Sequence, residues 1–434
     1  MKKVFFPILF FITASVMNVF AQMDNLSNMS AEWLRSPARN AATDAADIVV
    51  YNPAGLTALK DGWHINFSNQ SLFRNPSHSY DLGLGEGTKT YQQSTSDPWL
   101  PNLYMAYKKN NWALYTGVFN PGGGATANYP NGSITTDLIG LGVLTAAGGA
   151  YTMISNPSLK ASSMYLTTTL GGSYSFNKMV SATMALRYVS AQNNVQSSMT
   201  MTGSPIDLPD QTLSLDADYT ASGIGGVFGI NITPSDKTNF SIRYESQVNL
   251  DFKTKTNKDD FGMTVDGTTS PRDLPAVLAI GVGYQMCPKL KTYADINYYF
   301  QENADWGTSV TSADEKPLSH RAGNCVMYSL AGQYELSQLV SLSAGGSFTQ
   351  YNFNDITGYY TNIGTFEVVQ EDNYNLNIGF VYHASEKIAL NAGYMHVFYP
   401  KDQKVKALMA QPLDVDVTVN NSANVIALGV DWTF

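Results

Sequence analysis

The stretch Phe240-Ser-Ile-Arg-Tyr-Glu-Ser-Gln-Val-Asn-Leu-Asp-Phe252 alternates apolar and polar residues with a period of two. One face carries Phe240, Ile242, Tyr244, Val248, Leu250 and Phe252, and the other carries Ser241, Arg243, Glu245, Gln247, Asn249 and Asp251. This period is typical of a β-strand with one apolar face, and the stretch is longer than the usual strand of about five or six residues. It therefore predicts one long strand with Val248, Leu250 and Phe252 on the same apolar face as Phe240.

The same alternation recurs along the chain and predicts fourteen strands. The segments are 63–73, 102–108, 112–119, 164–176, 179–190, 220–232, 238–252, 274–286, 290–300, 324–335, 339–351, 373–383, 388–399 and 421–434. Short turns such as Asn177-Lys178 alternate with long loops such as 120–163. This is the layout of an outer-membrane β-barrel, with the short turns in the periplasm. A soluble two-sheet sandwich is the alternative, but it needs shorter strands and tight turns at both ends.

The composition of the 434 residues supports the barrel. Hydrophobic residues make up 44% of the chain and charged residues only 14%, whereas ordinary soluble domains carry about 25% charged residues. The mean hydropathy is −0.15, and only the N-terminal segment resembles the run of about 20 apolar residues that a membrane helix needs. The formal net charge of −9 argues against nucleic acid as a partner. We therefore predict an all-β, 14-stranded antiparallel transmembrane barrel.

The N-terminal segment is predicted to be a signal peptide over residues 1–21. Lys2 and Lys3 supply a positive start, an apolar run covers 4–19, and Val19-Phe20-Ala21 has the small-x-small pattern of a cleavage site. An uncleaved signal anchor is the alternative, but the run is short and polar residues follow it. Export permits a disulfide, yet the spacing of Cys287 and Cys325 indicates neither a bond nor a metal site. We expect two unpaired thiols.

Residues 22–62 are predicted to form a plug inside a barrel built from 63–434. Small residues dominate the stretch 38–56, and Pro53 and Gly55 interrupt any regular element. Such a segment is unsuited to face lipid. Because fourteen strands enclose an interior too wide for side chains alone to fill, the lumen is the natural place for this segment.

The chain ends in Asn424-Val-Ile-Ala-Leu-Gly-Val-Asp-Trp-Thr-Phe434. This end resembles the terminal strand by which barrel proteins are recognised for insertion into the outer membrane. We therefore expect the barrel-assembly machinery to be a partner through the strand that ends at Phe434. A terminal strand that merely happens to end in Phe is the alternative.

Three short motifs carry a resemblance to a known family. They are Tyr51-Asn-Pro-Ala-Gly-Leu56, which contains the hatch motif Asn52, Pro53 and Ala54, then Leu100-Pro-Asn-Leu-Tyr104, and Trp112-Ala-Leu114. With the terminal Phe434, this pattern resembles the FadL/TodX family of outer-membrane transporters for long-chain fatty acids and aromatic hydrocarbons. The resemblance extends over the whole mature chain, with departures in the plug at Arg39, Asn40, Asp44 and Asp47. It implies capture of a hydrophobic molecule by extracellular loops, a pocket inside the barrel, and sideways release where the third strand kinks.

The residues after the third strand fit such a kink. They are Asn120, Pro121, Gly122, Gly123 and Gly124. Proline cannot donate to a strand ladder, and consecutive glycines weaken pairing and permit a bend. The lateral exit is therefore predicted here. The alternative is that Pro121 merely starts the long outer loop.

The loop that follows the third strand is strongly apolar over 138–154 although it should lie outside the membrane. Its large apolar residues include Leu138, Ile139, Leu141, Val143 and Leu144. An exposed apolar patch usually marks a binding surface, so these residues are predicted to capture ligand. A structural cap packed on neighbouring loops is an equal alternative.

Strand parity places several charged and aromatic residues in the lumen. The charged residues are Arg187, Arg243, Glu245, Asp295 and Asp431, and the apolar or aromatic residues are Tyr115, Phe119, Tyr293, Tyr299, Met327 and Met395. An arginine guanidinium can bind a carboxylate through two hydrogen bonds, so Arg187 and Arg243, with Tyr115, Phe119 and Tyr293, are the candidate ligand residues. Interior ion pairs and packing against the plug are the alternatives.

Other functional classes find little support. The five histidines, His64, His78, His320, His383 and His396, are scattered, and the chain has no GxSxG or HExxH motif. We expect no enzyme activity and no cofactor, although haem would need an axial ligand such as His78 or His320. The expected function is passive uptake of hydrophobic small molecules by a monomer in the outer membrane of a Gram-negative bacterium. A non-transport assembly or secretion platform, a receptor for haem or another hydrophobic ligand, and a diffusion porin are the alternatives.

Overall fold

The computed structural model describes residues 30–83, 85–93, 95–308, 316–360, 367, 370, 372–408 and 414–434, and these form a closed antiparallel barrel. The predicted signal peptide, 1–21, lies outside the described residues. Fourteen wall strands are found in the described part of the chain. In chain order they are Gly62–Arg74, Thr95–Lys109, Trp112–Phe119 with Gly123–Tyr129, Met153–Ser175, Val180–Thr202, Gln211–Ser235, Thr238–Glu245 with Asp251–Asp259, Thr269–Pro271 with Val277–Cys287, Leu290–Tyr299, Cys325–Glu335, Val340–Tyr351, Asn373–His383, Ile388–Phe398 and Ser422–Thr433.

The wall closes because the first strand pairs with the last. Their register runs from His64 opposite Thr433 to Arg74 opposite Ala423, and the other face of the first strand pairs with the second. The predicted fold class is confirmed, and the predicted strands differ mainly in length. The fourth, fifth and sixth strands extend far beyond the predicted segments because they continue into the outer loops.

The outer face of the wall is apolar over a continuous band. Leu170, Leu186, Ile224, Leu330 and Leu428 each expose more than three fifths of their surface. Along the same strands the side chains that point inward are mostly polar, because strand residues alternate between the two faces. A barrel with this distribution presents hydrocarbon to lipid and polar groups to its lumen.

Residues 30–61 fill the lower lumen. They contain α1 (Ala31–Arg35), α2 (Ile48–Tyr51) and a 3-10 helix (Pro53–Ala58). Arg39 is 1% exposed and donates to Asp44 and Asp47, with Nη2 2.8 Å from Asp44 Oδ1. This internal ion group gives the segment its own structure.

Polar contacts join this segment to the wall on several sides. Asn40 N donates to Asp295 at 2.8 Å. Asn377 Nδ2 donates to Leu34 O at 2.8 Å. Asn66 Nδ2 donates to Glu32 at 2.8 Å and to Asp431 at 2.9 Å. Asp295 and Asp431, two of the charged residues placed in the lumen by parity, therefore serve to hold this segment.

The seventh wall strand is not the continuous strand that its alternation predicts. It breaks after Glu245, and pairing with the sixth strand moves from Glu245 opposite Val227 to Lys253 opposite Thr220. The prediction that Val248, Leu250 and Phe252 share an outward face with Phe240 is wrong. These three side chains are at most 3% exposed and point into the lumen, whereas Phe240 is 44% exposed.

Local contacts explain this bend, which we define as residues 246–250. Asp273 of the adjacent chain segment accepts a hydrogen bond from Leu250 N at 2.8 Å and holds the displaced backbone. The bend passes over Gly223 and Gly225 of the sixth strand, where added Cβ atoms would lie 2.6 Å and 2.8 Å from Val248. Only glycines leave room for the strand to move inward.

The long loops form a second layer above the barrel. It contains a four-stranded sheet of Gln403–Leu408, Asp414–Asn420, Ser77–Tyr80 and Lys89–Gln92. Its helices are α3 (Ile134–Ala146), α4 (Leu318–Ala322) and α5 (Ile356–Tyr360), with a 3-10 turn at Gln301–Asn303. No helix in the described ranges is both long and apolar enough to cross a membrane.

Candidate functional site: an apolar pocket beside an interrupted wall

The upper half of the lumen is lined by a large cluster of buried apolar side chains. The cluster consists of Ala127, Tyr129, Ile139, Leu159, Ala161, Tyr165, Val189, Ala191, Val195, Met199, Leu215, Ala217, Tyr219, Val248, Leu250, Phe252, Met263 and Leu274. They come from the third to the eighth wall strands and from the loops above them. We call this region the upper pocket and treat it as the candidate binding region, because small hydrophobic ligands are bound mainly by apolar and aromatic side chains.

The sequence analysis did not predict the residues of the upper pocket. The fifth strand nevertheless contains a pattern that indicates them. Within the membrane band, Met184, Leu186 and Tyr188 point outward and are exposed. Beyond Tyr188 the apolar residues change face, and Val189 and Val195 point inward and are fully buried. This change of phase marks the level at which the inward face of the strand becomes apolar.

The interruptions of the third and seventh wall strands lie at this level. The register places Phe119 opposite Thr167, Thr167 opposite Val189, and Val189 opposite Gly223. Phe119 borders the break in the third strand, and Gly223 lies under the bend of the seventh strand. The two breaks therefore flank the long fourth, fifth and sixth strands at the base of the upper pocket.

A charged group lies at the start of the bend. Glu245 accepts hydrogen bonds from Arg187 Nη1 and, at 2.9 Å, from Arg243 Nε. Arg187 Nη2 also donates to Ser246 O at 2.9 Å, while its Nε has no hydrogen-bond partner among the described residues. Two guanidinium groups share one carboxylate, so this group of three carries a net positive charge.

The same charged group contacts the hatch motif. Arg243 Nη1 donates to Tyr51 O, directly before Asn52. Asn52 Nδ2 in turn donates to Asn231 Oδ1 of the sixth strand at 2.8 Å. The upper pocket and the segment in the lower lumen thus meet at one set of polar contacts.

The rest of the hatch motif is also bound to the wall. Ser173 Oγ donates to Pro53 O at 2.6 Å, and Ser181 Oγ donates to Ala54 O at 2.8 Å. These contacts involve the fourth and fifth strands. Because both acceptors are backbone carbonyls, the motif acts here through its backbone conformation.

Not all of the predicted ligand residues line the upper pocket. Tyr115, Phe119 and Tyr293 are buried, but they pack with Ala42 and Val49 of the lower lumen. Tyr115 OH also bonds to Thr183 Oγ1 at 2.7 Å. Tyr299, Met327 and Met395 pack in a separate cluster with Trp33 and Leu34. The structure brings Arg187 and Arg243 to the base of the pocket and places the aromatic candidates below it.

The third strand is interrupted where the sequence predicted a kink. Its first half ends at Phe119 and its second half starts at Gly123, with Asn120, Pro121 and Gly122 between them. Pairing with the second strand ends at Leu103 opposite Val118. Pairing with the fourth strand resumes at Gly123 opposite Met164 and is irregular before Ala125. The irregular pairing therefore lies at Gly124.

The apolar outer loop forms α3, which lies over the upper pocket. Ile139 is buried in the pocket cluster, and Val143 packs against it. Leu138 and Leu144 pack against two other clusters, and Leu141 is 37% exposed. Of the five predicted capture residues, four face protein and Leu141 remains accessible.

The outer sheet holds the N-terminus of α3. His78 is 1% exposed, and its Nε2 accepts a hydrogen bond from Ile134 N at 3.1 Å. Asp137 accepts from Tyr80 OH, from Tyr91 OH at 2.8 Å and from Lys89 Nζ at 3.2 Å. Burial lowers the pKa of His78 below its ordinary value, although Glu367 and Asp137 oppose this shift.

The other sequence candidates are dispersed. His320 Nδ1 lies 3.0 Å from Glu302 Oε1, whereas His78 lies elsewhere in the outer layer, where its Nε2 accepts a hydrogen bond from Ile134 N. No group of metal-binding side chains occurs in the described part of the chain. Cys287 is exposed and Cys325 is buried, and no disulfide joins these two described residues.

Comparisons with known proteins agree with this architecture. The sequence model of a family described as outer membrane protein transport protein (OMPP1/FadL/TodX) matches residues 26–434. No curated protein sequence matches the chain.

Solved structures with the same fold are distant in sequence. A Pseudomonas aeruginosa FadL homologue is 14% identical, with a TM-score of 0.67 over 96% of this chain and 100% of its own. The Pseudomonas putida toluene transporter TodX is 14% identical, with a TM-score of 0.63 over 94% of this chain and 99% of its own. The Ralstonia pickettii toluene transporter TbuX is 14% identical, with a TM-score of 0.58 over 94% and 99% of the two chains. At 14% sequence identity, the similarity to these structures shows a shared fold.

Proposed function

Because the chain belongs to the OMPP1/FadL/TodX family of outer-membrane transport proteins, whose members are channels and not enzymes, we propose that it takes up hydrophobic small molecules across the outer membrane of a Gram-negative bacterium. The molecule enters from the loops, occupies the upper pocket, and leaves sideways into the bilayer through the break in the third strand. Residues 30–61 act as the plug that blocks the straight route through the lumen; the first part of the predicted plug, 22–29, lies outside the described residues.

One observation carries this proposal: a buried apolar pocket adjoins a break in the wall. Ala127 and Tyr129 of the pocket belong to the upper half of the third strand, immediately above Asn120 to Gly122. A membrane wall normally satisfies all its backbone groups by pairing, so a break is tolerated only beside a cavity or a protein contact. The position of the apolar cluster beside the break supports a route from the lumen to the lipid.

We propose long-chain fatty acids or related lipids and hydrocarbons as the substrates. The pocket supplies the apolar surface for any of these. The net positive charge of Arg187, Arg243 and Glu245 at its base favours a molecule with an anionic end, because charge-assisted hydrogen bonds from arginine are strong in a buried site. Uptake is passive and is driven by consumption inside the cell. Leu141, exposed on α3, provides the first contact.

We propose that the protein inserts as a monomer with the help of the barrel-assembly machinery. The terminal strand presents Trp432 and Phe434, each about half exposed, on its outer face. Phe434 also closes the barrel, since its O accepts from Trp63 N at 2.7 Å. Because Phe434 is exposed and lies where the first and last strands pair, the barrel-assembly machinery can bind it before the barrel closes.

The test restores the wall in the third strand. The variant Pro121→Thr, Gly122→Val, Gly124→Thr supplies the missing donor and strand-forming side chains. We expect it to insert normally and to reduce uptake of a labelled fatty acid, in a host that lacks its own transporter, by at least tenfold. The matched control is Pro288→Thr, which changes a proline in a periplasmic turn and should leave uptake unchanged.

The other outcomes distinguish the alternative functions. Full uptake by the wall-restored variant would contradict lateral release. Absence of uptake in the wild-type protein would favour an assembly platform. Conductance of sugars or ions by the wild-type protein in planar bilayers would favour a diffusion porin.

A further inference from the structure

A row of polar side chains crosses the apolar lining of the upper pocket at one height. The register places Ser163 of the fourth strand opposite Asn193 of the fifth strand, and Asn193 opposite Tyr219 of the sixth strand. The row ends on the seventh strand at Thr254, which lies opposite Tyr219. All four side chains are at most 7% exposed. The row therefore depends on the register of four strands and belongs to no single stretch of sequence.

Apolar side chains lie above and below this polar row. The register row above it consists of Ala161, Val195 and Ala217, and the row below it contains Tyr165 and Ala191. All five residues belong to the buried cluster that defines the upper pocket. The polar row is thus surrounded by apolar surface and is separate from the polar lining of the lower lumen.

Three polar atoms of this region have no hydrogen-bond partner in the part of the chain that the structure describes. They are Ser163 Oγ, Asn193 Oδ1 and, directly below the row, Tyr165 OH. The side chain of Asn193 lies near Tyr165 OH, but no hydrogen bond of ordinary geometry joins the two groups. Thr254 differs, because its Oγ1 accepts from Thr268 Oγ1 at 3.3 Å. We call Ser163, Tyr165 and Asn193 the polar site.

The polar site costs the protein free energy as long as its groups lack partners. A buried polar group without a hydrogen bond has lost its hydration and gained nothing in return. Most buried polar atoms in proteins are satisfied, so an unsatisfied group requires an explanation. A ligand that brings its own hydrogen-bonding group recovers the lost free energy, whereas a hydrocarbon leaves the groups unpaired.

The chemistry of the polar site favours a hydroxyl group. Ser163 and Tyr165 can each donate through a hydroxyl, while Asn193 Oδ1 can only accept, and none of these groups is charged at neutral pH. A hydroxyl can accept from the first two residues and donate to the third. A carboxylate or a ketone only accepts and would leave Asn193 Oδ1 unpaired. Arg272 acts on Tyr165 electrostatically, but its guanidinium stacks over Trp306, with Cζ 4.3 Å from the ring centroid.

We propose that Ser163, Tyr165 and Asn193 bind the hydroxyl group of a hydroxylated hydrophobic molecule, and that the upper pocket therefore prefers such molecules to plain hydrocarbons. This inference rests on the proposed uptake function and names a substrate class for it. Asn193 lies six residues beyond Arg187 on the same face of the fifth strand, about 20 Å at roughly 3.3 Å per residue. A long-chain hydroxy acid matches this arrangement, with its carboxylate at Arg187 and its hydroxyl at the polar site.

The test compares three probes of equal chain length, dodecan-1-ol, dodecan-2-one and dodecane, by calorimetry on the purified protein. The variant Ser163→Ala, Tyr165→Phe, Asn193→Leu removes the polar site. We expect the ratio of alcohol affinity to alkane affinity to be about tenfold lower in this variant than in the wild-type protein, because the variant cannot form the hydrogen bonds to the hydroxyl. The ratio of ketone affinity to alkane affinity should fall less, since the ketone has no donor.

A buried serine whose hydroxyl already has a partner provides the matched control. Ser197 lies on the same face of the fifth strand, and its Oγ donates to Ser158 O at 3.0 Å. Ser197→Ala should therefore keep the wild-type affinity ratios. Tyr165→Phe alone removes a single oxygen and should lower the alcohol ratio in the same direction, so the test remains valid if the triple variant fails to insert.

Stability distinguishes a binding role from a structural one. Because the groups of the polar site lack partners in the free protein, the triple variant should resist urea at least as well as the wild-type protein. An alcohol ratio that is unchanged in both the triple variant and Tyr165→Phe would overturn the inference. A loss of stability with unchanged ratios would also overturn it and would assign these residues to the structure of the wall.

Uptake separates this inference from the proposed function. If the wall-restored variant blocks fatty-acid uptake while the affinity ratios do not depend on the polar site, the proposed function stands and the inference fails. If the wild-type protein takes up no fatty acid and the alcohol ratio still falls in the triple variant, the polar site binds a hydroxyl and the proposed function fails.

Discussion

At the scale of single residues, the most informative contacts are those of the buried charges. Arg187 and Arg243 share the carboxylate of Glu245, and Arg243 also reaches Tyr51 O. Arg187 instead donates to Ser246 O of the bend, and its Nε has no hydrogen-bond partner among the described residues. The sequence predicted both arginines in the lumen, but not that one of them is committed to the segment below.

This difference predicts distinct effects on ligand binding. Arg187→Met should lower the affinity for a fatty acid about tenfold, because it removes the cation with a free donor from the base of the pocket. The affinity for an uncharged alkane of the same length should change less than twofold. Calorimetry on the purified protein measures both. Equal losses for the two ligands would show that Arg187 acts only on structure.

His78 predicts a pH dependence in the outer loops. Burial lowers the pKa of His78 in the folded loops, so the folded loops favour the neutral ring. The contribution of His78 to the stability of the folded loops is therefore fully present above about pH 6.5, the pKa of histidine in an unfolded chain. As the pH falls below this value, the unfolded loops bind a proton more readily than the folded loops, so the folded loops lose stability. Opening of the loops breaks the hydrogen bond from Ile134 N to His78. We expect faster hydrogen exchange in α3 at pH 5 than at pH 7.5, after correction for the intrinsic rate. His78→Gln keeps an acceptor but does not titrate, and it should remove the difference.

At the scale of elements, the bend of the seventh strand decides the shape of the pocket. Residues 246–250 bring Val248 and Leu250 into the lumen, and Asp273 and the glycines of the sixth strand permit this displacement. The alternation of the sequence is interrupted only at Ser246, the first residue of the bend, where the apolar face would otherwise continue. One polar residue on an apolar face is too weak a signal to predict a break in the strand.

The close approach at Gly223 provides the test of the bend. In Gly223→Ala the added Cβ would meet Asn249 O and Val248, so we expect a loss of about 1–3 kcal/mol of stability and weaker ligand binding. Gly332→Ala is the matched control, since its Cβ would meet only Leu290 at 3.9 Å. Urea unfolding in detergent and ligand titration check both variants. If Gly223→Ala has the stability and the ligand affinity of the wild-type protein, the bend does not require a glycine at position 223.

At the scale of the whole molecule, the barrel and the segment in its lumen form one structure. Arg39 compensates two acidic groups, of which Asp47 is fully buried. Glu32 is also fully buried, and burial together with the nearby Asp431 and Asp47 raises its pKa. The segment therefore depends on internal charge pairing, while its contacts with the wall are mostly neutral hydrogen bonds.

Removal of Arg39 should release this segment and leave the barrel closed. Arg39→Met leaves the buried carboxylate of Asp47 without its partner, at a cost of about 3–5 kcal/mol. We expect a higher ion conductance in planar bilayers than for the wild-type protein, and faster proteolysis within residues 30–61. Arg39→Met combined with Asp47→Asn should recover part of the block. If Arg39→Met does not raise the ion conductance, the ion pairs of Arg39 do not hold this segment in the lumen.

The sequence by itself determined the features that depend on one strand at a time. Alternation, strand count, and the contrast between short turns and long loops follow from the two faces of a strand in a membrane wall. The small residues of 38–56 likewise predicted that this segment avoids lipid, and Pro121 with its glycines predicted where pairing would fail.

Only the tertiary structure decided which inward residues meet. Tyr115 and Tyr293 point inward as parity requires, yet they pack with residues of the lower lumen, while Tyr165 and Leu250 line the pocket. Hydrogen bonds join Gln93 and Asp97 to Thr126 across 29 and more residues of chain. The alternation of residues along a strand predicts which face of the wall a side chain lies on. The height of that side chain in the barrel and the residues opposite it depend on strand register and on closure of the barrel, which involve all fourteen strands together.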